Sequence, residues 1–128
     1  MKLTDNFSKS EFDCHDGSEM PNDVFENVKI LAEQMQVLRD ELGVSIHLTN
    51  GYRSPAHNKK VGGAKNSQHL YGKACDMKVK GMTPKQILLV IERLIKEGKM
   101  MQGGIGLYNT FVHYDTYFDG KNKRRWNG

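Results

Sequence analysis

A stripe of apolar residues between Pro21 and Gly43 constrains the fold of this chain more than any other feature of its sequence. The apolar positions recur at spacings of three and four residues: Val24, Val28, Leu31, Met35 and Leu38. Such spacing places the side chains on one face of an α-helix, and proline and glycine are typical of the two helix ends. The stripe therefore predicts a long helix with one buried face, which must pack against other elements.

A second helix and several strands follow along the chain. Thr83-Pro84 is a typical helix start and Gly98 a typical helix stop, and the residues between them carry a second apolar face. Alternating or β-branched stretches predict strands at residues 44–49, 73–79, 105–108 and 111–117. The expected fold is α+β, with a small antiparallel sheet packed by two amphipathic helices. We expect a single domain of residues 1–128.

The charge of the chain is mildly basic, with a formal net charge of +4 and a pI near 9.1. We interpret the local basic cluster near the C-terminus as a solvated tail; its members are Lys121, Lys123, Arg124 and Arg125. Aromatic and basic residues are not interleaved as on nucleic-acid-binding surfaces, so no nucleic-acid partner is expected. A modest positive charge favours encounter with an anionic polymer such as a cell wall.

No segment of the sequence has the length and hydrophobicity of a membrane span. The N-terminal residues also lack the apolar core and the cleavage site of a signal peptide. We therefore expect a protein that is cytoplasmic as synthesised. We also expect a monomer.

The two cysteines, Cys14 and Cys75, are too few for a disulfide framework or for a zinc site built from cysteines. Cys75 lies in an apolar run, where it is predicted to be a small buried hydrophobic residue. A Cys14–Cys75 bridge stays open, because it depends on distances that the sequence does not give.

Residues 67–76, with the sequence SQHLYGKACD, indicate a metal-binding or catalytic site more strongly than any other segment. His69 ends a glycine-rich loop, Asp76 lies in the strand that follows, and His113 lies in a later strand. Two imidazoles and one carboxylate from separate elements suit zinc with one position left open for water, as in catalytic zinc sites. Such residues are also common on protein surfaces or hydrogen-bonded in cores, so the residues alone leave both interpretations open.

The same run resembles the signature S-x-H-x-x-G-x-A-x-D of the M15 family of zinc D-Ala-D-Ala peptidases at every fixed position. Further segments resemble the branch that contains peptidoglycan endopeptidases and phage-type lysins: residues 50–54, 104–108, 111–116 and 125–126. The similarity extends from about residue 6 to residue 126, and it implies a hedgehog/DD-peptidase-like fold.

The resemblance implies one zinc ion bound by His69, Asp76 and His113. It also implies that Arg53 faces the substrate, where it would hold a peptide carboxylate or stabilise the oxyanion. Arginine suits this task because its planar fork makes bidentate, charge-assisted hydrogen bonds. A structural ion pair is the alternative role for Arg53. The implied reaction is metal-assisted amide hydrolysis, in which a base takes a proton from the attacking water.

The general base is where this chain departs from part of the family. Many members have a glutamate three residues before the last zinc histidine, and another branch has a histidine two residues before it. This chain has Thr110 and Phe111 at those positions. Asp115 is the candidate instead, because alternate residues of a strand share a face and Asp115 follows His113 by two. It would act as the base or orient a zinc-bound histidine; His47 is a weaker candidate.

Four further residues are candidates for substrate contacts: Ser67, Gln68, Tyr71 and Tyr108. The serine and glutamine side chains would line the cleft, and a tyrosine hydroxyl would donate to the oxyanion. Packed aromatic rings with satisfied hydroxyls are the alternative for both tyrosines. Trp126 is expected to cover an apolar edge of the domain.

The predicted function is hydrolysis of peptidoglycan stem peptides or cross-links by a zinc metallopeptidase of the D,D-carboxypeptidase or endopeptidase type. A phage or prophage endolysin, released to the cell wall by a holin-type route, fits a chain without a signal peptide. The alternative is a zinc-containing, cell-wall-binding module without peptidase activity, because hedgehog-like proteins keep a zinc site in this fold without that activity. The threonine at position 110 leaves this alternative open.

Overall fold

The helices form where the start and stop signals of the sequence predict them. The computed structural model describes residues 1–128. The helices are α1 (Asn22–Leu42), α2 (Pro55–Lys60) and α3 (Pro84–Lys96), with 3-10 helices at Lys9–Phe12 and Gln68–Tyr71. α1 ends at Gly43, which has a φ of 70°, and Thr83 caps α3 by accepting a hydrogen bond from the Gln86 amide. No helix combines the length and the hydrophobicity that crossing a membrane requires.

Five short strands form one mixed sheet. They are β1 (His47–Asn50), β2 (Ala74–Lys78), β3 (Ile105–Leu107), β4 (Val112–Asp115) and β5 (Arg125–Asn127). Their order is β1-β2-β4-β3-β5, and all neighbours are antiparallel except β3 and β5, which are parallel. The α+β fold class is confirmed, while the first strand begins at His47, three residues later than predicted.

The sequence does not predict β5, because three residues after a basic run show no alternation. In the structure this segment pairs with β3, and Ile105 N donates to Arg124 O at 3.0 Å. The interpretation of the C-terminal basic cluster as a solvated tail is wrong for Arg124 and Arg125. Both side chains are partly buried in ion pairs, Arg124 with Asp115 and Arg125 with Glu92, each at 2.9 Å.

The two faces of the sheet have different roles because strand side chains alternate. On one face, strand residues join the apolar sides of α1 and α3 in the core; they include Cys75, Met77, Val112 and Tyr114. Asp76 on β2 and His113 and Asp115 on β4 point to the opposite face, which we call the polar face. The register places Asp76 directly across from His113. The alternation that builds the core therefore also brings these polar groups together.

Gly72 holds the end of the Gln68–Tyr71 helix against α1. Its φ is 72°, and a Cβ there would lie 2.7 Å from the Val24 carbonyl oxygen. Gly62 has the same φ, but a Cβ would meet nothing within 4 Å. We expect Gly62→Ala to lower the free energy of unfolding by about 1 kcal/mol, because alanine must adopt a left-handed conformation there. Gly72→Ala adds a steric clash of about 1–3 kcal/mol. Urea unfolding measures both losses, and equal losses would contradict the role of the contact with α1.

Candidate metal centre and its cleft

Three buried side chains converge on the polar face of the sheet. Asp76 comes from β2, His113 from β4, and His69 from the 3-10 helix Gln68–Tyr71, whose first turn Ser67 caps. His69 Nε2 and His113 Nδ1 each lie 3.3 Å from Asp76 Oδ1. The two imidazole rings are 5.1 Å apart and tilted by 78°. The structure therefore brings together the three residues that the sequence selects as candidate zinc ligands.

Hydrogen bonds on the far side of each ring determine which nitrogen carries a proton. His69 Nδ1 lies 2.8 Å from the Gly51 carbonyl oxygen, which can only accept, so Nδ1 donates. His113 Nε2 lies 2.8 Å from a carboxylate oxygen of Asp115, so Nε2 donates there. In the neutral rings, the nitrogens that face Asp76 are then lone-pair donors, which is the state that a metal ligand requires.

The spacing of these atoms fits a tetrahedral metal ion. Zinc bonds of about 2.0–2.1 Å separate neighbouring ligand atoms by about 3.4 Å in a tetrahedron. Both ring nitrogens are 3.3 Å from Asp76 Oδ1. Asp76 Oδ1 is also buried without a hydrogen-bond partner, a costly state for a polar atom that nothing binds. The donor set of two nitrogens and one carboxylate therefore fits zinc in chemistry as well as in spacing.

Burial and neighbouring groups act in opposite directions on the pKa values at this centre. Burial raises the pKa of Asp76, but the two imidazoles beside it outweigh burial and hold that pKa below its usual range. Burial lowers the pKa of His113, but Asp115 and Asp76 outweigh it and raise that pKa above 6.5. The centre thus attracts positive charge, and a bound metal cation would displace a proton from these groups.

Asp115 lies behind His113 and is completely buried. Its Oδ2 accepts from His113 Nε2 at 2.8 Å and from Arg124 Nη2 at 3.1 Å. Its Oδ1 accepts from Arg124 Nη1 and from the Gly104 and Tyr117 amides at 2.9 to 3.1 Å. Burial raises the pKa of Asp115, but His113 and Arg124 outweigh burial and bring that pKa to about 2. Asp115 is therefore an anion whose two oxygens are both engaged by donors.

The three candidate ligands line a cleft of about 460 Å³. Other side chains of the lining include Arg53, Ser67, Gln68, Tyr108, Phe111, Arg124 and Trp126. Arg53 is mostly buried; its Nη1 donates weakly to Asn58 Oδ1 at 3.3 Å, and its Nη2 lies 3.9 Å from Asp76 Oδ2. Its buried Nε has no hydrogen-bond partner. Arg53 Nη2 forms no hydrogen bond within the protein, so this nitrogen keeps donor capacity for an anionic group in the cleft.

The family of this chain is known from a match to a protein family model. The family model described as Peptidase M15 matches residues 5–115. The chain belongs to the Peptidase M15 family. A search among curated proteins gave no match. M15 peptidases are zinc-dependent metallopeptidases, and the cleft of this member contains a candidate group of metal ligands.

The M15 cleft contains most, but not all, of the residues that the sequence selects for substrate contacts. Ser67, Gln68 and Tyr108 line it. Tyr71 does not line the cleft, although it stands beside Gly72 of the motif, and the residue is 45% exposed. His47 and Thr110 line a separate cavity. The position where many family members have a catalytic glutamate therefore lies outside this cleft.

Sequence reasoning did not select two side chains of the M15 cleft, Arg124 and Trp126. Trp126 is the middle residue of β5; its ring lies 4.9 Å from that of His113, and its Nε1 donates to Tyr108 Oη at 3.0 Å. Tyr108 stacks on Phe111 with ring centroids 4.4 Å apart. The Arg125-Trp126 pair of the motif set was the available signal for Trp126. No local signal marks Arg124, whose partner Asp115 lies nine residues away.

Proposed function

We propose that this chain hydrolyses peptide bonds in peptidoglycan stem peptides or cross-links, using one zinc ion bound by His69, Asp76 and His113. One observation carries the proposal. In the cleft of this M15 chain, one ring nitrogen of His69 and one of His113 each lie 3.3 Å from Asp76 Oδ1, a buried oxygen without a hydrogen-bond partner. The other nitrogen of each ring already donates a hydrogen bond to the protein. The motif resemblance supports the finer assignment to a D,D-carboxypeptidase or endopeptidase of the phage-lysin type.

Different residues of the cleft have different roles in such a reaction. Zinc, when bound, lowers the pKa of a water molecule and polarises the scissile carbonyl. Arg53 holds the terminal carboxylate or the carbonyl oxygen of the peptide, since its Nη2 forms no hydrogen bond in the protein and a guanidinium group suits a planar anion. Asp115 positions His113 by accepting a hydrogen bond from its Nε2–H group. We prefer this role to that of general base, because Asp115 is fully buried and its oxygens already accept hydrogen bonds.

A binding module of the same fold remains the second candidate, and the composition of the cleft favours it. Apart from the three candidate ligands, the lining contains no carboxylate and no imidazole. No side chain of the lining other than the ligands is therefore an ordinary general base at neutral pH. A module of this kind would bind zinc and cell-wall peptides without cleaving them.

The test is release of peptides from purified peptidoglycan, followed by mass analysis, with and without a metal chelator. We expect release that stops with chelator and returns when zinc is restored, because the chemistry needs the metal. The masses of the products identify the bond that is cleaved. Zinc binding together with no release from several wall types would reject the peptidase and support the binding module.

Arg53→Ala in the same assay tests the role of Arg53. Hydrogen bonds to charged groups contribute about 1.5–3 kcal/mol, or roughly 10- to 150-fold in kcat/KM. We expect a loss of this size for a peptide with a free terminal carboxylate and a much smaller loss for the same peptide amidated. Equal losses for both peptides would instead assign Arg53 to the oxyanion or to structure.

A further inference from the structure

A second group of potential metal ligands lies away from His69, Asp76 and His113, which together we call the M15 centre. Cys14 follows the Lys9–Phe12 helix, Asp16 stands two residues later, and His57 belongs to α2. Each offers one ligand atom, and the thiol, carboxylate and imidazole atoms all lie within 4.8 Å of one another. Cys14 is buried, His57 is half-buried and Asp16 is exposed. The group therefore lies at the surface with its sulfur on the inner side.

Hydrogen bonds already hold two of these three residues in place. Ser54 N donates to Cys14 Sγ at 3.3 Å, and Ser54 Oγ donates to Asp16 Oδ2 at 2.7 Å. Hydrogen bonds from Cys14, Ser18 and Ser54 hold the pKa of Asp16 well below its usual range, so this carboxylate is anionic. This network accounts for Cys14 and Asp16 as a connection between the N-terminal segment and the start of α2.

The network does not account for the imidazole of His57. Only the backbone amide of His57 takes part, donating to Ser54 Oγ at 3.1 Å. The ring lies edge-on to that of His15, with centroids 6.1 Å apart. A second imidazole is therefore close to the group.

The thiol of Cys14 is not part of a disulfide bond. Both cysteines are free, and Cys75 Sγ lies 3.5 Å from Met35 Sδ in the core. The prediction of Cys75 as a small buried hydrophobic residue is confirmed, since it is completely buried in the core cluster. Cys14 is thus a thiol beside an imidazole and an ionised carboxylate, and these are the three ligand types of protein zinc sites.

We propose that Cys14, Asp16 and His57 form a second binding site for a divalent transition metal such as zinc. Sulfur and imidazole select zinc or cobalt over magnesium or calcium, which prefer oxygen ligands. Ligand atoms around zinc are separated by roughly 3.5 Å, so each pair of ligand atoms has to approach by at most about 1.3 Å from the 4.8 Å limit. The exposed Asp16 and half-buried His57 side chains make that movement. His15 is the nearby residue that would supply a fourth ligand.

A metal at this site would connect residues 14–16 to α2, directly after Arg53. Ser54, whose amide and hydroxyl hold Cys14 and Asp16, is the residue that follows Arg53 in the chain. The site is independent of the proposed peptidase function, because it uses none of the three candidate ligands of the M15 centre.

Cobalt substitution tests the proposal, because a thiolate bound to Co²⁺ gives an intense near-ultraviolet charge-transfer band. The M15 centre contains no sulfur, so this band reports only on a cysteine. Titrating the metal-free, full-length protein with Co²⁺ should give two equivalents bound and a thiolate band. Cys14→Ser should abolish the band and reduce the bound Co²⁺ by one equivalent. His57→Ala should also bind one equivalent of Co²⁺ less. The control variant Cys75→Ala should keep both.

Circular dichroism of each variant separates loss of the site from loss of the fold. His57→Ala removes a half-buried ring, so it keeps the test valid if Cys14→Ser does not fold. A wild-type titration that ends at one equivalent without a thiolate band would overturn the proposal. A band that persists in Cys14→Ser would overturn it as well.

Discussion

Replacing His69 by alanine is expected to remove one equivalent of zinc and to reduce peptide release to the level of a protein-free control. The reason is that Asp76 and His113 alone leave two ligands where catalytic zinc has three from the protein. The change also leaves the Gly51 carbonyl oxygen without its partner, at a cost of about 1–3 kcal/mol in folding free energy. Metal analysis and the peptidoglycan assay on the folded variant measure both effects.

His47→Ala is the matched control for this prediction. His47 is exposed on β1 and lines a cavity that contains none of the candidate ligands. The same substitution there should leave zinc content and peptide release unchanged. Full activity of His69→Ala, or equal losses in the two variants, would contradict the assignment of His69 as a ligand.

Replacing Asp115 by alanine is expected to lower the free energy of unfolding by about 3–5 kcal/mol. Removing one partner of a buried ion pair leaves the other charge uncompensated, and here both Arg124 and the His113 Nε2 proton lose their acceptor. Zinc affinity should fall by about 10- to 100-fold, because groups that orient a ligand have effects of this size. Urea unfolding and competition with a chromogenic chelator measure the two quantities.

Glu92→Ala is the control for the loss of stability. Glu92 also pairs with an arginine of the C-terminal segment, Arg125 at 2.9 Å, but its side chain is 39% exposed. The pair is bidentate but partly exposed, so we expect its loss to cost about 1–2 kcal/mol, less than the loss of the buried Asp115. A loss for Asp115→Ala as small as that for Glu92→Ala would contradict the buried network.

Asp115→Asn separates the two roles that Asp115 could have. A positioning residue affects zinc affinity, since the amide holds the imidazole less strongly than the carboxylate does. A general base would leave zinc affinity unchanged and lower kcat in the fully loaded enzyme. Measuring kcat at saturating zinc, together with the affinity for zinc, therefore distinguishes the positioning role that we propose from the catalytic one.

The ends of the main helices and the identity of the candidate ligands could be predicted from the sequence. Thr83 and Gly43 act on backbone groups within a few residues, so their effect on helix ends can be recognised locally. The alternation of strand side chains likewise places Asp115 on the same face as His113, because the two residues are separated by one position in a strand. The motif from Ser67 to Asp76 carries its own local geometry, including Gly72, whose φ of 72° favours glycine.

Only the tertiary structure decides what surrounds these candidate ligands. Three contacts depend on the packing of separate segments: the Gly51 carbonyl fixes the His69 ring, Arg124 neutralises Asp115, and the Trp126 ring lies beside His113. A motif indicates that Gly51 and Trp126 matter but not what they contact, and no local signal marks Arg124. Tyr71 shows the converse, because it stands within the motif and yet does not line the cleft. Local preferences determine the path of the backbone over a few residues, whereas partners across the sheet are set by how separate elements pack.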